Sequence, residues 1–403
     1  MGRFAARSRH PGREAGRTPP GVPRILLVHP SSELYGSDRV ALESARAFVA
    51  APARVHAVLA TSGPLVGLLD EAGCEVHVLP FPVLRKAYLS PPGLLRLLGS
   101  TLRTTPRMLR LLAAVRPDVV YVSTVTVPWW LVLARLYRAR VVCHVHEAEQ
   151  DVPRLVRLGL TAPLLLAHRI VANSRVSEEL VVAAVPRLRS RVEVIYNGVP
   201  GPPEVTPPRA EPVPPVRLVL VGRVSARKGT DVAVAAVAKL RDRGLDVTLD
   251  LVGGVFPGYE WFQDQVRDQI AELGLTGRVR WQGVCPQVWP ALAEADIALV
   301  PSRVEPFGNA AVEAMLAGRP VVASAAQGLR EIVRPGENGR LVRPGDPGEL
   351  AAAVVDVLEH WPAAREQAER ARGEALATFD PAVYRDRITR ATLPSAEAGP
   401  WVA

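Results

Sequence analysis

Cysteine is nearly absent from this 403-residue chain: Cys74, Cys143 and Cys285 stand far apart, with no Cys-x-x-Cys pair. That excludes a disulfide framework, argues against a thiolate zinc site and suits a reduced, cytoplasmic compartment. Aromatic residues make up only 5%. No run is apolar for long enough to span a bilayer; the most apolar, Val125 to Ala134, contains Pro128 and ends at Arg135. Residues 1–22 are rich in Arg, Gly and Pro with no apolar centre, so they do not read as a secretory leader, and a disordered basic tail is expected there. Two nucleotide fingerprints are also missing. There is no Gly-x-x-x-x-Gly-Lys-Ser/Thr loop, and no Gly-x-Gly-x-x-Gly follows a leading strand, which disfavours a nicotinamide cofactor.

What is present is aliphatic: 48% of the residues are hydrophobic. They fall in short continuous runs, the pattern of strands buried on both faces of a parallel sheet. Strands are expected at Arg24–His29, Val55–Ala60, Val76–Leu79, Asp118–Val122, Val141–His146, Arg169–Ala172 and Val192–Ile195. Helical stretches alternate with them. Pro200 to Pro215 breaks the pattern, eight of its sixteen residues being proline. Such a segment forms neither helix nor central strand and acts as a stiff connector. The alternation then restarts, with strands at Arg217–Val221, Val247–Val252, Val279–Trp281, Ile297–Val300 and Pro320–Ala323. The expectation is an α/β chain of two doubly wound, Rossmann-like domains, at 23–199 and 216–375, joined by a linker at 200–215. A C-terminal helix at 376–392 would cross back to the first domain. In this architecture ligands bind outside the carboxyl ends of the strands, in the cleft.

The net charge is +9. Nucleic acid is one reading of a basic chain, but no nucleic-acid motif accompanies the charge, and none is expected as a partner. The excess is uneven. From Leu84 to Val115 there are six basic residues and no acidic one, interleaved with leucines and interrupted by Pro91, Pro92 and Pro106. This stretch reads either as a helical pair showing Arg to water or as a face for an anionic membrane surface.

The second domain carries the densest chemistry. Glu305-Pro306-Phe307-Gly308-Asn309-Ala310-Ala311-Val312-Glu313 follows a buried strand and opens a helix closed by Gly318. A helix start favours anions, while two carboxylates suit hydroxyl groups, so the pattern fits an anionic ligand rich in hydroxyls. Gly222-Arg223, followed by Lys228-Gly229, supplies cations in the loop after the domain's first strand.

In this order, these fragments resemble the retaining glycosyltransferases of family 4, which have the GT-B fold. Gly318-Arg319-Pro320-Val321-Val322, Tyr196-Asn197-Gly198-Val199 and Tyr35-Gly36-Ser37-Asp38-Arg39-Val40 extend the resemblance over about residues 24 to 390. It implies transfer of a sugar from a nucleotide-diphosphate sugar to a hydroxyl of a glycan, lipid-linked or small-molecule acceptor. Arg223 and Lys228 would hold the diphosphate. Glu305 would accept from the sugar's hydroxyls and Glu313 from the ribose's. Backbone N–H groups of Phe307, Gly308, Asn309 and Ala310 would face the distal phosphate or sugar, and His146 would face the sugar from the first domain. Gly36 and Gly222 would let backbone approach the donor. No Asp-x-Asp motif lies near these loops, so neither a metal nor another cofactor is expected. Two features depart from the family: Tyr35-Gly36 replaces its commoner Gly-Gly, and Glu147 after His146 belongs either to the acceptor pocket or to a turn cap. His144 competes with His146, since alternation puts both on one face of the strand. A non-catalytic nucleotide-sugar binder and a sugar-nucleotide epimerase share this architecture and remain alternatives.

Overall fold

In the computed structural model, residues 22–393 are described except 86, 87, 89, 149, 151, 256, 257 and 286. The tail expected to be disordered therefore lies, but for its last residue, outside the described residues. Two sheets, both wholly parallel, account for the strands. The first contains β1 (Arg24–His29), β2 (Arg54–Leu59), β3 (Glu75–Val78), β4 (Val119–Val122), β5 (Arg140–Val145), β6 (Arg169–Ala172) and β7 (Val192–Val194), in the order β3-β2-β1-β4-β5-β6-β7. The second contains β8 (Val216–Val221), β9 (Val247–Val252), β10 (Val279–Gly283), β11 (Ile297–Val300), β12 (Val321–Ser324) and β13 (Arg340–Val342), in the order β10-β9-β8-β11-β12-β13. This is the expected α/β class, two doubly wound Rossmann-like units facing each other across a cleft. The order reverses between β1 and β4, and between β8 and β11, which opens a crevice at the carboxyl ends of those strands.

The strands form where the sequence is aliphatic on both faces. Ile25 and Leu27 pack into one cluster with Val40, Phe48 and Tyr121, while Leu26 and Val28 pack into another with Met108, Val120 and Trp130. Helices on opposite faces of one sheet thus close two cores. No helix or strand lies between β7 and β8, where the proline-rich segment runs.

The basic stretch differs from expectation. It is one 25-residue helix, Pro91–Val115, and not a broken pair. Pro91 and Pro92 occupy the first helical positions, where no N–H is needed, and Ser90 caps them by accepting from Gly93 N–H. Pro106 sits inside; Leu97, Met108 and Leu112 bury the helix on both sides of it and hold it continuous. The leucine face divides. Leu94, Leu95, Leu98 and Leu102 are more than half exposed.

The carboxyl end also differs in its boundary. Helix Trp361–Thr378 runs past residue 376, and the last helix is Pro381–Thr392. Its Tyr384, Ile388 and Ala391 join the first sheet's core beside Ile25, Val40 and Phe48. The Tyr384 hydroxyl meets Ser44 Oγ at 2.5 Å. Two passages of chain between the units lie side by side, Val199 N–H donating to Phe379 O at 2.9 Å. Gly198 is required there, because a Cβ would lie 2.7 Å from Tyr384 Cβ and 2.9 Å from Pro381 Cα.

Candidate active site

The second sheet delivers most of the site through two loops. After β8, Gly222 takes φ +149°, which glycine adopts without strain. A short turn, Ala226–Lys228, follows and ends at Gly229, whose Cβ would fall 2.1 Å from Pro301 O. The Arg223-to-Lys228 loop is therefore pressed onto the loop after β11. Lys228 Nζ pairs there with Glu305 Oε2, which also accepts from Ser302 Oγ at 3.1 Å. An ammonium has three donors, so this pair leaves Lys228 able to donate to a phosphate as well. Helix Asn309–Leu316 starts after Gly308, at φ +129°, where a Cβ would strike Leu329 at 2.7 Å. Glu313 lies in that helix and is 8% exposed. Burial pushes its carboxyl pKa up, and Arg39 and Lys228 pull it back. The Phe307 side chain is core, packed between Tyr196 and Phe379; only its backbone is left for a ligand. Ala310 is buried as well.

The first sheet supplies the opposite wall. His146 follows β5 and is half-buried, its ring 3.9 Å from that of His144. Burial and the neighbouring His29 push its pKa down to about 3, with Asp38 opposing, so the ring is neutral at physiological pH. Its Nε2 is buried with no hydrogen-bond partner among the described residues. His144 is the structural one of the two: it is fully buried, and its Nδ1 meets the Tyr121 hydroxyl at 2.6 Å. Glu147 accepts from its neighbour's His146 N–H at 3.0 Å and from the Thr124 hydroxyl, so the carboxylate shapes its own turn. Burial pushes its pKa up. Gly36 is closely approached from across the cleft, since a Cβ there would lie 2.9 Å from Asn309 Nδ2. The Tyr35 ring faces the Arg223 guanidinium at 4.8 Å, a cation–π contact between the two walls.

Several residues at the cleft have no role assigned from the sequence. His29 meets Ser123 Oγ at 2.5 Å through Nδ1 and Asp38 Oδ1 at 2.8 Å through Nε2, all three buried. Asp38 also accepts from Ser31 Oγ and from Tyr35 N–H at 2.9 Å. These bonds fix the loop that presents Gly36. Side chains of the second unit also hydrogen-bond to the first. Asn309 Oδ1 accepts from Asn197 Nδ2 at 2.9 Å. Gln327, at φ +40°, accepts from Glu305 N–H at 3.1 Å and donates to Ala148 O at 2.5 Å. Glu331 receives the N–H groups of Arg175 and Val176 at 2.9 and 3.0 Å, capping helix Arg175–Ala184 from the other unit. Asp38, Asn197 and Asn309 lie within the fragments quoted from the sequence, whereas the only signal for His29 and Ser123 is that they end or directly follow an aliphatic strand.

Residues 35–200 match the model of Glycosyltransferase Family 4, and residues 215–360 match that of Glycosyl transferases group 1. The D-inositol 3-phosphate glycosyltransferase 1 of Catenulispora acidiphila is 34% identical over 216 residues, 50% of this chain and 51% of that protein. The glycogen synthase of Mycobacterium tuberculosis is 33% identical over 213 residues, 52% of this chain and 50% of its own length. The chain thus spans about half the length of the curated relatives it matches. In fold it is similar to HepE of Anabaena, solved with UDP and glucose, with a TM-score of 0.77 and 24% identity over 91% of this chain and 98% of that one. With one family model on each unit and the paired-sheet cleft between them, the chain belongs to the family 4 glycosyltransferases and has the GT-B fold.

Proposed function

We propose that the protein moves a sugar from a nucleoside-diphosphate sugar to a hydroxyl of a glycan, lipid-linked or small-molecule acceptor, with retention at the anomeric carbon and no metal ion. The observation that carries this reading is the meeting of the Lys228–Glu305 pair and the start of helix Asn309–Leu316 with buried Glu313 inside that helix. Cations and a helix start suit a diphosphate, and the two carboxylates suit the hydroxyls at its two ends. As the anomeric C–O bond to the diphosphate breaks, negative charge grows on the leaving phosphate. Arg223, Lys228 and the helix N–H groups stabilise that charge more in the transition state than before it. The acceptor oxygen forms the new bond on the face the diphosphate leaves, and its proton passes to a phosphate oxygen, so no protein nucleophile is used. Neutral His146 turns its unpartnered Nε2 to a sugar hydroxyl.

No helix among the described residues is long and apolar enough to cross a membrane. The exposed Leu94, Leu95, Leu98 and Leu102, with Arg96, Arg103, Arg107 and Arg110 exposed on the same helix, suit work at an anionic membrane surface on the cytoplasmic side, near a lipid-linked acceptor.

The test begins with a thermal-shift panel of UDP-, GDP- and ADP-sugars, UDP-glucose first because HepE holds UDP and glucose. A donor at about 100 times its Kd adds about 2.7 kcal/mol of apparent stability. The stabilising donor is then incubated with acceptor mixtures in EDTA, and the product's anomeric configuration is read by NMR. An inverted product, or turnover abolished by EDTA, overturns the mechanism. Stabilisation with no nucleotide released in any acceptor mixture assigns a binder instead.

A further inference from the structure

A second cluster of functional side chains lies at the opposite end of the first sheet. The β2–β3 register sets His56 against Glu75 and Val58 against His77. Glu75 and His77 are two residues apart, so all three side chains rise from one face of the sheet. His56 Nδ1 and His77 Nε2 are 3.2 Å apart. Glu75 brings Oε2 to 3.6 Å from His56 Nδ1 and Oε1 to 3.8 Å from His77 Nε2. The three ligand atoms all fall within 4.8 Å of one another. Around a tetrahedral zinc with metal–nitrogen bonds of about 2.0–2.1 Å, neighbouring ligand atoms sit about 3.3 Å apart. The two nitrogens already have that spacing, and the Glu75 carboxylate turns one oxygen to each of them.

We propose that His56, Glu75 and His77 form a three-ligand site for a divalent transition metal of the zinc class, which clips edge strand β3 to β2. Two imidazoles and a carboxylate suit zinc, cobalt or nickel better than the all-oxygen preference of calcium or magnesium. Burial pushes both imidazole pKa values down, His56 to about 4, so both lone pairs are available at neutral pH. Glu75 is half exposed, which leaves a fourth position to water. Arg54 pairs with Glu75 Oε2 at 3.2 Å, so a bound metal would share that carboxylate with it, and Arg24 pairs with Asp118 at 3.5 Å. Cys74 contributes nothing: it is buried in the core of the other face, and its thiol pKa is pushed up to about 12. Strand β3 is four residues long and has a partner on one side only, so a metal bridge to β2 would hold the part of the sheet with least support. The cluster lies on β2 and edge strand β3, two and three strands along the sheet from β4, where the order reverses.

The test uses the untagged full chain, stripped with EDTA and titrated with Zn2+ and separately with Co2+, with thermal unfolding and cobalt absorption as readouts. Zn2+ should bind at one equivalent and raise Tm by several degrees, as expected where a ligand binds only the folded form. Co2+ should give the absorption of a four-coordinate site, and Mg2+ should give no shift. Loss of an outer-shell partner alone typically costs about 10–100-fold in metal affinity, so His77→Ala should cost at least about 100-fold. Glu75→Gln, on an exposed side chain, should weaken binding while leaving metal-free Tm unchanged. Absence of one-to-one binding overturns the proposal, as does affinity unchanged in His77→Ala. Either result assigns the 3.2 Å contact to a hydrogen bond between two neutral imidazoles.

Discussion

The two walls of the cleft are built with opposite electrostatics. The second unit presents charge: Arg223 and Lys228 in one loop, Glu305 and Glu313 around a helix start, with Lys228 and Glu305 already paired. The first unit presents the neutral imidazole of His146, beside buried His144, beneath a glycine loop that the buried chain from Ser123 through His29 to Asp38 holds in place. The charged wall can respond to a ligand whose own charge changes during reaction. The neutral wall is suited to placing uncharged hydroxyls, and it costs little to desolvate.

If that division is right, the largest effects belong to the charged wall. Arg223→Ala and Lys228→Ala should each lower kcat/KM by about 100–1,000-fold, the usual cost of losing a charge-stabilising donor. Metal-free Tm should change little, and the donor-induced thermal shift should shrink. Near-normal turnover in both variants would break the comparison. A middle effect belongs where the walls touch. Gly36→Ala places a methyl against Asn309 Nδ2 and should cost about tenfold, mostly in KM, because small displacements of a positioning loop are expensive. The double variant Gly36→Ala, Asn309→Ala removes the obstruction and should recover part of the loss. No recovery would mean that the loop needs glycine for another reason.

The smallest effect is in stability and concerns the neutral wall. In the folded protein His146 has a pKa near 3, while in the unfolded chain it titrates near the usual 6.5. Between those values the unfolded state holds the extra proton, so the folded state loses stability as pH falls below about 6.5. On the order of 1–2 kcal/mol should be lost from this group by pH 5. His146→Asn should lack that part of the acid sensitivity, seen as a smaller fall in Tm between pH 7 and pH 5 than in the parent. An identical fall in both would place the ring in a more solvated setting.

The same division explains what could be read from the sequence. The charged wall is local: Glu305 to Glu313 occupies nine consecutive residues, and Arg223 and Lys228 share one loop. Local patterns of glycine and charge survive projection onto one dimension. The neutral wall joins His29 to Ser123 across 94 positions, through adjacency of β1 and β4 that only the sheet order supplies. Gln327 and Glu331 were invisible for a similar reason, since each finds its partner 150 or more residues away in the other unit. Short edge elements also escaped notice. β13 is three residues long and begins with Arg340, so it carries too little aliphatic pattern to register. Pro106 marked a break that tertiary packing overrode, because Met108 and Leu112 bury the helix beyond it. The central strands β1, β4, β11 and β12, in contrast, stood out because burial on both faces leaves almost no polar residue inside them.

The last helix gives the chain an unusual order of completion. Tyr384, Ile388 and Ala391 fill the first unit's core, so that core is not finished when its sheet is. During synthesis the first unit would emerge, wait while the whole second unit is made, and close only when residues 381–392 arrive. Until then Phe48 and Tyr121 lack part of their cover. The second unit is in this sense a guest within the first, and the first unit's final stability reports that the guest has been made in full.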